Sequence, residues 1–237
     1  MENDLSFEQR LDEITQRMEA ACVRAGRDIV DVTLVAVSKT FPPEAVMEAQ
    51  RAGVRIFGES RMQEALAKID QCGSAEWHFV GHLQSNKIRP ALEFFSMIHS
   101  VDSFKLLDTL ATAMEETGHR PKLLLEVNAA GEGSKFGFKL SDIPAALQRA
   151  QELGLPVSGF MTLPPFTPDP EGARKYFRTL RELRDRCQDD TGLALPELSM
   201  GMSHDFEVAI EEGTTMIRVG TALFGERKAW KIENGEI

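Results

Sequence analysis

A lysine stands just behind a short, apolar, β-branched run. VTLVAV, Val32 to Val37, leads into Ser38, Lys39 and Thr40. Such a run reads as a strand buried on both faces. A lysine at its end points toward whatever the strand opens onto. Partial desolvation there would favour the free amine, which condenses with an aldehyde; the alternative is an ordinary solvated lysine at a strand exit. A second chemical signal lies near the other end of the chain. Arg218 is followed two residues later by Gly220 and then Thr221, which opens a short helix. Free backbone N–H groups at a helix start favour an anion. Gly220 allows close backbone approach, while Ser203 and Thr221 offer hydroxyl donors. Side chains alternate along a strand, so Arg218 and Gly220 face the same way. If that way is inward, Arg218 is a buried cation that needs a partner; if outward, it joins an ion pair on the helix side.

Those residues need a scaffold that gathers strand ends. Ser6 with Gln9 reads as a capping box. Phe7, Leu11, Ile14, Met18 and Cys22 fall at helical spacing, and Gly26 ends that leading helix. Eight strand–helix units follow. The strands are expected at 32–37, 54–57, 77–80, 97–101, 122–127, 157–161, 197–199 and 216–219. Helices are expected from Pro42 to Arg51, through Gln63 and Ala67, from Gln84 to Arg89, and around Leu106 to Met114. Ser141 is expected to cap the next helix. Further helices carry Tyr176 to Leu183, span Asp205 to Glu212, and begin near Thr221. Alternating apolar strands and amphipathic helices imply parallel pairing. Eight units in this length predict a single (β/α)8 TIM barrel over 1–237, with a leading helix over 1–27 and the barrel over 28–230. Active groups then sit where strands end. Those ends carry Gly58-Glu59-Ser60 and then Gln63-Glu64, Gly81-His82 to Lys87, Asn128, the loop from Gly131 to Gly137 with Lys135, and Ser199 to Ser203.

Composition narrows the function classes. The 237 residues are 42% hydrophobic and 27% charged, ordinary for a soluble domain with a sizeable core. A formal charge of −10 disfavours nucleic acid and anionic membrane surfaces, which recruit Lys and Arg clusters. Cys22, Cys72 and Cys187 are few and far apart, so neither a disulfide framework nor a zinc site is expected. His78 and His82 share i,i+4 spacing without an evident third ligand, and no metal is expected. The N-terminal segment lacks a basic start and an apolar run, and no stretch approaches a membrane span. A cytoplasmic protein is expected. Paired hydrolytic carboxylates, GxSxG, Walker and GxGxxG motifs are absent.

Taken together, LVAVSKT, IFGES with MQEA, WHFVGHLQSNK, HSVDS, LLLEVNAAGEGSKFG, GFMT, LSMGMS with Asp205, and IRVGTALFG resemble the pyridoxal-phosphate homeostasis protein family. These proteins are similar to the N-terminal domain of alanine racemase. The strings run in the family's order from about residue 32 to 225. The resemblance implies a fold-type III barrel holding pyridoxal 5′-phosphate as an internal aldimine on Lys39. It implies a phosphate site at Ser203, Gly220 and Thr221, Arg218 facing the pyridine nitrogen, and pocket walls at Met161 and Met202. Lys87 and Lys135 match lysines in family motifs. Ser60 stands where the family commonly has asparagine, and its shorter side chain would reach the cofactor less well. An arginine at the ring nitrogen disfavours ring protonation and strong electron-sink chemistry. The tyrosine that serves racemases comes from a second domain, and the only tyrosine here, Tyr176, falls on an outer helix. The expected role is therefore to hold pyridoxal phosphate and pass it to apoenzymes in transient contact, as a monomer with no catalytic residue. The alternative is a weak racemase-type enzyme.

Overall fold

The computed structural model describes residues 5–73, 75–131 and 136–225. Eight parallel strands close into a barrel in sequence order: β1 (Thr33–Val37), β2 (Ile56–Glu59), β3 (Glu76–Phe79), β4 (Met97–Val101), β5 (Lys122–Glu126), β6 (Val157–Met161), β7 (Glu197–Met202) and β8 (Met216–Val219). The leading helix α1 (Phe7–Ala25) precedes β1. The connecting helices are α2 (Pro43–Arg51), α3 (Met62–Cys72), α4 (Ile88–Phe94), α5 (Phe104–Thr117), α6 (Ile143–Glu152), α7 (Arg174–Thr191), α8 (Phe206–Glu211) and α9 (Thr221–Phe224). The expected (β/α)8 barrel with an extra N-terminal helix is the observed fold.

Local chemistry explains most boundaries. The Ser6–Gln9 capping box forms, and Gly26 stops α1 in the left-handed conformation. Phe7, Ile14, Met18 and Cys22 are buried, whereas Leu11 is only partly so. The helix lies over the end of the barrel sequence. Phe7 meets Phe224 at 5.5 Å, Arg17 reaches Glu207 at 2.6 Å, and Arg24 reaches Glu211 at 2.6 Å.

Beyond shifts of a single residue, four expectations change. The second strand begins at Ile56 rather than Val54, because the Val54 N–H is spent on Ala49 O at the end of α2. The stretch from Gln84 is a 3-10 turn over Ser85–Lys87, and α4 starts only at Ile88. Ser141 does not cap α6. Its hydroxyl bonds Asp142 inside a 3-10 turn, and α6 has a proline in its first turn, whose fixed φ suits a helix start. The seventh strand runs on to Met202, because a bulge sets Ser199 opposite Met216 but Met202 opposite Arg218.

The sheet separates two cores. Outside it, Phe57, Phe160, Phe177, Phe206 and Leu107 pack the strands against the helices. Inside it, Val35, Met97, Leu124, Met161 and Met216 form a separate cluster. The inner set fixes the parity of β1, β4, β5, β6 and β8, so Lys39, His99, Glu126 and Arg218 are in phase with interior residues. Cys22, Cys72 and Cys187 are buried free thiols. Among the described residues no helix is long and apolar enough to cross a membrane.

One close approach tests the β6–β7 register. Gly159 has φ +157°, and a Cβ there would lie 1.9 Å from Glu197 O. Gly159→Ala is expected to lower stability in urea denaturation by at least about 2 kcal/mol. A loss below about 0.5 kcal/mol, the size of an ordinary surface change, would contradict this packing.

Candidate functional site

The C-terminal end of β1 is clamped from three sides. Ser38 N–H continues the ladder to Gly58 O, so extended geometry holds through that residue. Its hydroxyl donates to Glu59 Oε1 at 2.7 Å, and its carbonyl accepts from Lys68 Nζ at 2.6 Å. Lys68 also pairs with Glu59 at 2.5 Å, both side chains being buried between sheet and α3. Burial pushes the Glu59 carboxyl up, and the contacts from Lys68 and Ser38 only partly restore it. Thr40 carries φ 70°, a conformation costly for a β-branched residue, and its N–H donates to Glu64 Oε2 at 3.0 Å. Lys39 sits between these two fixed points. Alternation carries it to the side of Val35 and Val37, at the barrel mouth. It is exposed there. Of the two settings the sequence left open, the solvated one is found, because Lys39 lies in an open turn past the strand rather than on it.

The neighbouring strand end belongs to β8. Val35 pairs with Arg218 and Ala36 with Val219. Gly220 therefore comes beside Val37, where a Cβ would lie 3.2 Å from Val37 O. Two backbone N–H groups, of Gly220 and Ala222, converge on Ser203 Oγ at 3.3 Å each. Ser203 was expected as a donor, yet its oxygen accepts here and marks where an anionic oxygen could find the same donors. The β7 bulge brings this about. Gly201, at φ +92°, lets the strand turn tightly over α8, since a Cβ would sit 2.6 Å from that of Ala209. Asp205 Oδ1 then holds Met202 N–H at 2.7 Å. Thr221 is exposed at the start of α9.

Arg218 faces inward and is buried. Its Nη1 donates to Ser199 Oγ at 2.5 Å and its Nη2 to Thr162 O at 2.9 Å. Among the described residues no carboxylate forms an ion pair with it. Burial lowers its pKa to about 10, against the attraction of Asp205 and Glu126, so it stays charged at neutral pH. Glu126 lies in phase with Leu124 on β5, and burial, reinforced by Asp102, raises its pKa to about 7. The alternative of an outward ion pair for Arg218 is thereby excluded.

The remaining expected residues divide. Met161 is buried in the inner cluster, whereas Met202 is 38% exposed at the mouth. Ser60 and Lys87 both line a groove of about 530 Å3 beside the ends of β2 and β3, together with Arg61, Glu64 and His82. His82 bonds Asp102 at 2.9 Å and stacks on Phe136 at 4.0 Å, while His78 turns into the barrel. Tyr176 lies half-buried on α7 under Lys175. Lys135 lies outside the described residues. The sequence reading placed Glu64 at a strand end but missed Lys68, His99 and Glu126 as parts of the site. Lys68 was detectable: with Met62, Ala65 and Cys72 it marks the buried face of α3.

An exposed amine, converging N–H donors beside it and a buried cation with no ion pair among the described residues fit a ligand that has an aldehyde, an anionic group and a ring between them. The chain matches the family model for the alanine racemase N-terminal domain over residues 10–228. It is 44% identical over 223 residues to a pyridoxal phosphate homeostasis protein of Aquifex aeolicus, covering 93% of this chain and 98% of that one. PipY of Synechococcus elongatus PCC7942, solved with PLP bound, superposes with a TM-score of 0.81 at 37% identity, covering 93% of this chain and 100% of that one. An alanine racemase of Clostridium difficile superposes with a TM-score of 0.68 at 14% identity, over 92% of this chain and 56% of the racemase, which shows a shared fold.

Two expectations concern the site's buried charges. Glu126 holds its proton up to about pH 7 in the folded chain, against an ordinary value of 4.5. Folding thus takes up a proton between those values. Its contribution is complete below the lower one and is lost as pH rises through the upper. Glu126→Gln is expected to gain about 1–3 kcal/mol over wild type at pH 8 and almost nothing near pH 4, read from urea midpoints. An equal gain at both pH values would contradict the assignment. Lys68→Met strands the Glu59 carboxylate and is expected to cost about 3 kcal/mol, most of it recovered in Lys68→Met/Glu59→Leu. If the double variant falls further than the single one, the clamp is misread.

Proposed function

This chain belongs to the alanine racemase N-terminal-domain family, and we propose that it serves pyridoxal phosphate homeostasis by holding the cofactor on Lys39 and releasing it to apoenzymes. The observation that carries this reading is the β1–β8 ladder, which sets the Lys39 turn next to the Gly220 loop above buried Arg218. The name of the Aquifex relative and the PLP bound to PipY support it. Pyridoxal phosphate, when bound, supplies an aldehyde that condenses reversibly with a primary amine. Lys39 would offer that amine from a turn held by Ser38 and Thr40. Ser203, Gly220 and Thr221 would take the phosphate through backbone N–H and hydroxyl groups. Arg218 would face the ring nitrogen and, being a fixed cation, oppose a second positive charge there. Met161 and Met202 would flank the ring, and Ser60 would stand at the rim of the neighbouring strand end. The open setting of Lys39 suits a carrier, because the amine is reachable by solvent and by exchanging amines. We further propose that the protein acts in the cytoplasm as a monomer.

The test is spectroscopic. Wild type mixed with pyridoxal phosphate is expected to develop a visible absorption band, and borohydride followed by peptide mapping to fix the label on Lys39. Lys39→Ala is expected to lack the band. Holoprotein mixed with an apoenzyme is expected to activate it faster than released cofactor accounts for. A band that persists unchanged in Lys39→Ala would falsify the assignment of the amine, and activation no faster than free release removes the delivery role.

A further inference from the structure

Arg218 is one end of a hydrogen-bonded chain that crosses the barrel interior. Its Nη1 lies 2.5 Å from Ser199 Oγ. Ser199 Oγ lies 2.9 Å from His99 Nδ1, and His99 Nε2 lies 3.0 Å from His78 Nδ1. His78 Nε2 lies 3.1 Å from Glu76 Oε1. β8, β7, β4 and β3 contribute the links. Arg218, Ser199, His99 and His78 are buried. Glu76 is the first residue of β3, at the end of the barrel away from the mouth. Its side chain is 49% exposed and also accepts from Ser96 Oγ at 2.8 Å.

The two ends fix the direction of every proton between them. A guanidinium only donates and a carboxylate only accepts. Ser199 Oγ therefore accepts from Arg218, and Glu76 accepts from His78 Nε2–H. A neutral imidazole has one N–H, so His78 Nδ1 must accept, and His99 Nε2–H supplies the proton. His99 Nδ1 must then accept in turn, and the Ser199 hydroxyl is its donor. Burial holds both histidines below their ordinary pKa, His99 well below it with His78 and Arg218 adding to the effect, which keeps the rings neutral. The opposite arrangement would turn the bare His78 Nε2 toward a carboxylate that has no proton to give.

We propose that Glu76 is a positioning residue for Arg218. By accepting from His78 it imposes one tautomer on both histidines and commits the Ser199 hydroxyl proton to His99. The Ser199 lone pairs are then left to the guanidinium, whose place under the ligand ring is set from the far end of the barrel. This rests on the reading that Arg218 faces the cofactor.

Glu76→Ala and Glu76→Gln test it. The site is half-exposed, so both chains keep the core, and glutamine retains an acceptor oxygen. Imidazole 15N spectra of the full chain without cofactor are expected to show His78 and His99 neutral and protonated at Nε2. The alanine variant is expected to mix tautomers at His78, bind pyridoxal phosphate about fivefold more weakly, as the loss of one hydrogen bond implies, and shift the absorption maximum of the bound form. The glutamine variant is expected to stay within about twofold of wild type with an unshifted maximum. Nδ1-protonated or cationic histidines in wild type overturn the proposal. So do an alanine variant that matches wild type in tautomer and spectrum, and a glutamine variant that fails as the alanine one does. Borohydride mapping in parallel separates the two levels: a label away from Lys39 defeats the site reading, whereas the cofactor-free tautomers judge the chain by itself.

Discussion

The parallel ladder between β1 and β8 sets Val35 opposite Arg218 and Ala36 opposite Val219. It joins the first strand to the last, and it is the pairing that turns an open sheet into a closed barrel. Once it forms, the Lys39 turn and the Gly220 loop leave the sheet side by side and on the same face. A slip of one residue would send every inner side chain of β1 to the helix layer. The apolar interior below, with Val35, Met97, Leu124, Met161 and Met216, is what makes that slip costly. The packing of the lower barrel thus determines the chemistry available at its mouth.

Above the ladder the chain trades local comfort for position. Thr40 is held in a left-handed conformation that a β-branched residue avoids, and Glu64 takes its N–H. Glu59 and Lys68 are buried together, an arrangement that gains little stability against well-packed apolar residues but is costly to break. Both devices converge on the residues flanking Lys39. Arg218 shows the same pattern on the adjacent strand. It is desolvated, held by one hydroxyl and one carbonyl, and influenced from a distance by Asp205 and Glu126. Such costs persist where a site must be ready before its ligand arrives.

The architecture was readable because strand and helix periods alternate so regularly. Arg218 and Gly220 could be assigned a common face from spacing alone, and the structure makes that face the interior. What escaped was of two kinds. Boundaries moved where a single backbone donor was already engaged, as at Val54, or where a 3-10 turn preceded a helix, as before Ile88 and Ile143. Polar contacts between distant segments were the other kind. His99 sits in a fully buried strand and meets Ser199 a hundred residues later. No local pattern announces such a partner, since it depends on barrel closure and on the bulge in β7. The exposure of Lys39 stayed open for a related reason: strand apolarity describes Val35 to Val37, but the turn beyond it is governed by the clamps on Ser38 and Thr40.

One shared pocket would hold the amine, the anion donors and the cation together. A crystal structure of the protein grown with pyridoxal phosphate measures that directly. It is expected to show continuous density from Lys39 Nζ to the aldehyde carbon, phosphate oxygens on the Ser203, Gly220 and Thr221 donors, and the ring nitrogen facing Arg218. A cofactor seated elsewhere on the barrel, or lying in this mouth with its aldehyde carbon remote from Lys39, would contradict it.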